Sequence, residues 1–182
     1  MNNFKLIVTG LVAALLVALP ASGGVSEYEL KAALIYKISK FVRWPPTGEK
    51  SLSMPLRLCV VGRDYFGAAI DVLNGQAVQG QTIEVVRPAA GELAAASCQI
   101  VFISRSELKN LTSLLMCTTG KPVLTISDID GFAARGGTVE FATKDKKLGF
   151  RINPETARRA GLEFSAQLLQ LATIVSNGRS PP

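Results

Sequence analysis

The chain has 182 residues, a formal net charge of +6, three cysteines and no histidine. Lacking histidine, it has no access to the commonest general base, the usual activator of a serine or cysteine nucleophile, or the commonest metal ligand, which argues against triad hydrolases and ordinary zinc enzymes. The length suffices for one ordinary domain, and the basic residues are scattered apart from Lys144-Asp145-Lys146-Lys147 and Arg158-Arg159, a pattern that reads as a soluble surface.

At the amino terminus, Lys5 precedes an uncharged run from Leu6 to Leu19, followed by Pro20 and small residues from Ala21 to Gly24. The run is shorter than the ~20 apolar residues that a membrane span needs, so residues 1–23 are expected to be a secretory signal peptide cleaved between Ala21 and Gly24. No cysteine follows it to carry a lipid anchor. The product is expected to be exported and soluble: one domain over 24–176, then a disordered tail over 177–182.

Ser26 and Glu29 have the spacing of a capping box, and Pro45-Pro46 forbids continuation, which predicts a helix from Ser26 to Trp44. Leu30, Leu34, Ile38 and Phe41 form its expected buried stripe, widened by Ile35 and Val42, with Lys37 as a charge on that side. A loop rich in Pro, Gly and Ser runs to Pro55. Leu56 to Val61 reads as a buried strand, Asp64 to Asn74 as a helix stopped by Gly75, and Gln76 to Gly80 as a turn or short strand. Thr82 to Arg87, Cys98 to Ile103 and Pro122 to Ile126 read as strands, with a helix over Glu107 to Cys117.

After Gly136-Gly137, Thr138 to Ala142 and Leu148 to Ile152 alternate around a charged tip and describe a hairpin. Asn153-Pro154-Glu155 supplies an N-cap, a proline at the first helical position and an early acid. A last helix, Ser165 to about Val175, is apolar on most sides and is expected to be buried. The rhythm predicts an α/β fold: a single-domain layered sandwich with a mostly parallel or mixed central sheet flanked by helices, ending in a hairpin and helices.

Few motifs carry chemistry. Gly62 and Gly67 are too few for a dinucleotide fingerprint, and a strand end with a cap at Asp64 explains them. Asp128-Ile129-Asp130-Gly131 lacks the further oxygen ligands of a calcium loop. Asp128 and Glu140 are the only carboxylate pair near a plausible loop face, and no enzyme activity, metal or cofactor is expected. Export and the absence of aromatic residues among the basic ones disfavour nucleic-acid binding. Two apolar strands of one sheet would bring Cys59 and Cys98 together, two buried free thiols being the alternative, whereas Cys117 reads as a buried or partly buried thiol.

Several segments together resemble the YfiR family of periplasmic regulators. They are the helix Leu30 to Lys37 through Phe41-Val42-Arg43-Trp44-Pro45; Leu58-Cys59-Val60-Val61-Gly62; Cys98 to Ser104; Leu124 to Asp128; Gly136-Gly137; and Phe150-Arg151-Ile152-Asn153 with Ala160-Gly161-Leu162 and Leu168-Leu169. The resemblance implies a non-enzymatic periplasmic protein that binds the periplasmic sensor domain of an inner-membrane diguanylate cyclase and lowers cyclic-di-GMP. An outer-membrane lipoprotein is the further partner it suggests; apart from the resemblance, a second copy of the chain, as a homodimer, is a further candidate partner. Cys59 and Cys98 match the family's bridging pair, while a second pair found in some relatives is missing and Cys117 has no mate. The partner contact is expected at the Gly136-Gly137 hairpin and the Asn153 helix start, through Phe141, Arg151, Asn153 and Glu155. The alternative is a small-molecule sensor or transport accessory with its pocket at the end of the parallel strands.

Overall fold

A computed structural model of the protein describes residues 24–46, 54–94, 96–145 and 147–178. The expected signal peptide, part of the loop before Pro55 and residues 179–182 of the expected tail lie outside the described residues. The capping box is present: Ser26 Oγ accepts from the Glu29 amide at 3.1 Å and the Ser26 amide donates to Glu29 at 2.6 Å. Helix α1 spans Glu27–Lys40, ending before the predicted Trp44 because Val42–Arg43 leaves it as strand β1, paired antiparallel with β9 (Glu163–Phe164).

The large sheet contains β2 (Leu56–Val61), β3 (Ala77–Val78), β4 (Gln81–Val86), β5 (Ile100–Ile103), β6 (Leu124–Ser127), β7 (Val139–Lys144), β8 (Lys147–Ile152) and β10 (Thr173–Ile174). Its spatial order is β10-β8-β7-β6-β5-β2-β4-β3. The centre from β4 to β7 is parallel, and the β7–β8 hairpin and the β3–β4 pair are antiparallel, so the sheet is mixed. Strands β2 and β5 are apolar along most of their length because both faces are covered, and in β6 Leu124 and Ile126 alternate with the buried Thr125 and Ser127.

Residues of even number in β2 and β5 (Leu58, Val60, Ile100, Phe102) join the cluster containing α1, α2 (Ala68–Asp71), α4 (Pro154–Arg159) and α5 (Ala166–Leu171). Their odd-numbered neighbours (Cys59, Val61, Val101, Ile103) face Leu111 and Leu114 of α3 (Leu111–Thr118). The strand pleat thus divides one run of apolar residues between two cores. Each fully buried Ile, Leu or Phe contributes about 1.5–3 kcal/mol. Gly137 has no room for a side chain, because a Cβ there would fall inside the buried ring of Phe132.

The structure corrects three expectations. First, the buried side of α1 comprises Lys31, Ala32, Ile35, Ile38 and Ser39, whereas Leu30 and Phe41 are exposed. Lys37 points to solvent, and the buried lysine is Lys31. Second, the Asp64–Asn74 helix shrinks to α2, since Asp64 Oδ1 accepts from the Phe66 amide at 2.7 Å and holds the preceding residues in a turn. Third, the last helix ends at Leu171. Thr173–Ile174 pairs with β8, only Leu168 of α5 is buried, and Leu171 is 76% exposed. Local pairing with a sheet edge there outweighs helix propensity. The chain beyond it remains tied to the domain: Asn177 Oδ1 accepts from Asn153 Nδ2 at 2.7 Å, and the Gly178 amide donates to Ala134 O at 3.0 Å.

Candidate functional site

At the carboxyl ends of the parallel strands, the segments after β2, β5 and β6 meet the first turn of α1. Gly62, with φ of +90°, ends β2, and a Cβ on it would lie 2.6 Å from Ser106 Oγ and Glu107 Cγ. This close passage joins the segments after β2 and β5, and Ser106 Oγ accepts from the Arg63 amide at 2.9 Å. Arg63 and Arg105 are thereby set beside each other's segments.

Asp128, just after β6, is the anchor beneath them. Its side chain is 5% exposed, and its Oδ2 accepts from Lys31 Nζ at 2.7 Å and from Tyr28 Oη at 2.8 Å. Lys31, with a side chain 3% exposed, also meets Glu27 at 2.6 Å, one helical turn back. Arg105 donates to Tyr28 Oη at 2.6 Å and lies 3.8 Å from Asp128. The second oxygen, Asp128 Oδ1, is buried and has no hydrogen-bond partner.

Burial alone would lower the Lys31 pKa, but hydrogen bonds to Asp128 and then Glu27 outweigh it and hold it above its ordinary 10.5. The Tyr28 phenol is raised from 10.0, by burial first and by the Asp128 carboxylate next. Both groups therefore keep their protons at neutral pH.

A series of rings connects this cluster to the core. Phe141 lies 6.5 Å from Phe102, Phe102 4.7 Å from Phe66, Phe66 5.0 Å from Tyr28, and Tyr28 stacks on Tyr65 at 5.6 Å. Arg105 and Arg63 lie 5.0 and 5.9 Å from the Tyr65 ring centroid. Sequence reasoning missed this cluster. Its available signal was Lys31 in register with Ile35, Ile38 and Val42, a charge within an apolar stripe that demands an acidic partner.

The residues singled out by sequence occupy a different place. Cys59 and Cys98 form a disulfide, with 5.9 Å between their Cα atoms, behind β2 on the α3 side, and Cys117 is a free, half-buried thiol. Phe141 is 3% and Asn153 0% exposed, so their side chains belong to the interior. Asn153 Oδ1 caps α4 by accepting from the Thr156 amide at 3.0 Å, and its Nδ2 donates to Ala133 O at 2.8 Å. Arg151 donates at 2.6 Å to Glu140, which is 1% exposed and also receives the Gly131 and Ala133 amides at 3.1 Å. Glu155 is exposed in the first turn of α4. Asp128 and Glu140, the carboxylates weighed for catalysis, are thus each committed to a cation. Among the described residues, no group of three His, Cys, Asp or Glu side chains gathers to hold a metal.

The Gly136 turn and α4 border one open groove of about 460 Å³, with the end of α3 as its other wall. Met116, 71% exposed, and Arg135 and Arg159 line it. Among the described residues, no helix is long and apolar enough to cross a membrane.

Residues 28–173 match a domain family described as YfiR/HmsC-like. No curated protein matches the sequence. The ABC domain in complex with L-Trp from Streptococcus pneumonia is similar with a TM-score of 0.54 and 10% identity, over 81% of this chain and 60% of that one. A conserved domain protein from Vibrio cholerae O1 biovar eltor is similar with a TM-score of 0.50 and 12% identity, over 84% of this chain. This chain spans 60% of the length of each of these structures. At such identities the likeness concerns the fold, an α/β domain.

Proposed function

The chain belongs to the YfiR/HmsC-like family, a family of periplasmic regulators and not of enzymes, and on that premise we propose that it is an exported inhibitor acting through protein–protein contact. Its target in this reading is the periplasmic sensor domain of an inner-membrane diguanylate cyclase. Binding lowers cyclic-di-GMP because the inhibitor has higher affinity for the inactive arrangement of the cyclase, the only way a ligand shifts such an equilibrium. Residues 1–23 are removed on export, residues 24–176 form the active domain, and an outer-membrane lipoprotein competes for the inhibitor.

One observation supports a location for the contact. The Gly136 turn and α4, through Thr156 and Arg159, border the same groove, which combines an exposed methionine with two arginines. In this reading the exposed Glu155 of α4 and the partly exposed Arg151, held on Glu140 at 2.6 Å, add polar contacts. Phe141 and Asn153 serve the face from beneath, one by packing β7 and the other by capping α4.

The test is a titration of the purified protein against the periplasmic domain of the membrane cyclase encoded nearest its gene. Met116→Asp and Glu155→Arg are expected to weaken binding at least tenfold. Val72→Asp, at a residue 66% exposed on the α2 side, is expected to leave it unchanged. Equal binding by all three variants would remove this face from the account.

A further inference from the structure

We propose that the carboxyl end of β2 and β5 is a second site, which binds a small organic anion through the guanidinium groups of Arg63 and Arg105. The location follows from the topology. Strand β2 pairs with β4 on one side and with β5 on the other, so the chain leaves β2 in one direction and returns on the opposite side. In open α/β sheets, such a reversal of strand order separates the loops at the carboxyl ends and is where ligands bind.

The cluster holds three cations, Lys31, Arg63 and Arg105, and three carboxylates. Glu107, beside Gly62, accepts from Asn110 Nδ2 at 2.9 Å and forms no ion pair with either arginine. Glu27 and Asp128 are spent on Lys31, at 2.6 and 2.7 Å. Arg105 is left with a phenol at 2.6 Å and a carboxylate no nearer than 3.8 Å, and its side chain is 53% exposed. Arg63 is exposed, with its guanidinium 5.9 Å from the Tyr65 ring centroid.

Four other arginines behave differently, although Arg135, Arg158 and Arg159, like Arg63, form no ion pair among the described residues. Arg43, Arg57, Arg87 and Arg151 each hold a carboxylate at 3.1 Å or closer. Two guanidinium groups 5.0 and 5.9 Å from one tyrosine ring, without such a carboxylate, are suited to donate to carboxylate or phosphate oxygens. Resting on the ring orients them while leaving their N–H groups available.

Asp128 beneath them keeps Lys31 at 2.7 Å, so Arg105, 3.8 Å from that carboxylate, can turn outward onto the anion without leaving it unpaired. The proposal goes beyond the regulator reading and uses the protein without its partner, so its failure leaves that reading intact.

Citrate and inorganic phosphate serve as carboxylate and phosphate probes in a thermal-shift titration at matched ionic strength. The wild type is expected to show a saturable rise in Tm with one of them, and which one identifies the anion class. Arg63→Gln, at an exposed side chain with no ion pair to lose, is expected to weaken the response at least threefold. Arg63→Gln/Arg105→Gln is expected to weaken it at least tenfold, while Lys37→Gln/Lys40→Gln, exposed at the opposite end of α1, leaves it unchanged. The same loss in both double variants would mean that general positive charge, and no site, produced the shift. No saturable rise with either probe in the wild type would overturn the proposal as well.

Discussion

Lys31→Met is expected to destabilise the fold by about 3–5 kcal/mol, the range for removing one partner of a buried ion pair. The substitution conserves the bulk of the apolar stem, so the loss reports the ammonium. It strips Asp128, 5% exposed, of its nearest cation and leaves that carboxylate with the Tyr28 hydroxyl and a guanidinium 3.8 Å away. Urea denaturation of the wild type, Lys31→Met, Asp128→Asn and the double variant measures the coupling. The double variant should lose less than the two single losses combined, since it leaves no uncompensated charge. Strict additivity would mean that the pair carries no linkage between α1 and the end of β6.

The same pair sets an alkaline limit. Lys31 and Tyr28 both hold their protons more tightly in the folded chain than their ordinary values of 10.5 and 10.0 allow. The stability they supply is therefore complete below about pH 10 and is lost as pH rises through the raised values. In Lys31→Met that alkaline decline should be shallower.

Loss of the Cys59–Cys98 bridge is the second large effect expected. The bridged residues are 39 apart in sequence. Opening a loop of that length releases denatured-state entropy worth about 4 kcal/mol in the chain-entropy model. The bridge ties β2 to the residues just before its neighbour β5, and both cysteines sit in the core on the α3 side. Replacing both by alanine should shift the urea midpoint downward without changing the α/β circular dichroism. A shift of less than about 1 kcal/mol would show that the sheet pairing alone restrains this segment in the denatured state.

Much of the architecture was legible because the strands are long apolar runs whose period and punctuation admit few alternatives. Leu56 to Val61 is a strand with the predicted bounds, and the Ser26–Glu29 box starts α1 where the spacing requires. The phase of α1 was harder to read. Stripes starting at Leu30 and at Lys31 share Ile38, and the preference for leucine over lysine chose the wrong one. Tertiary context decides the question, because Asp128, nearly a hundred residues away, makes a buried lysine tolerable.

The carboxyl end of the last helix was misread for a related reason. Its apolar residues suit a buried helix and a strand edge equally well, and pairing with β8 selects the strand. For the partner face, the sequence pointed to the two segments beside the groove but not to which side chains emerge there. Phe141 packs in the core and Asn153 turns in to cap α4, Arg151 is drawn onto the buried Glu140, and Glu155 is the one left fully exposed.

Regulation of a membrane cyclase is tested most directly by cellular cyclic-di-GMP. Deletion of the gene is expected to raise the nucleotide, and the rise should disappear when the neighbouring membrane cyclase is deleted too. An unchanged level in the single deletion, or a rise that survives loss of the cyclase, would contradict the account.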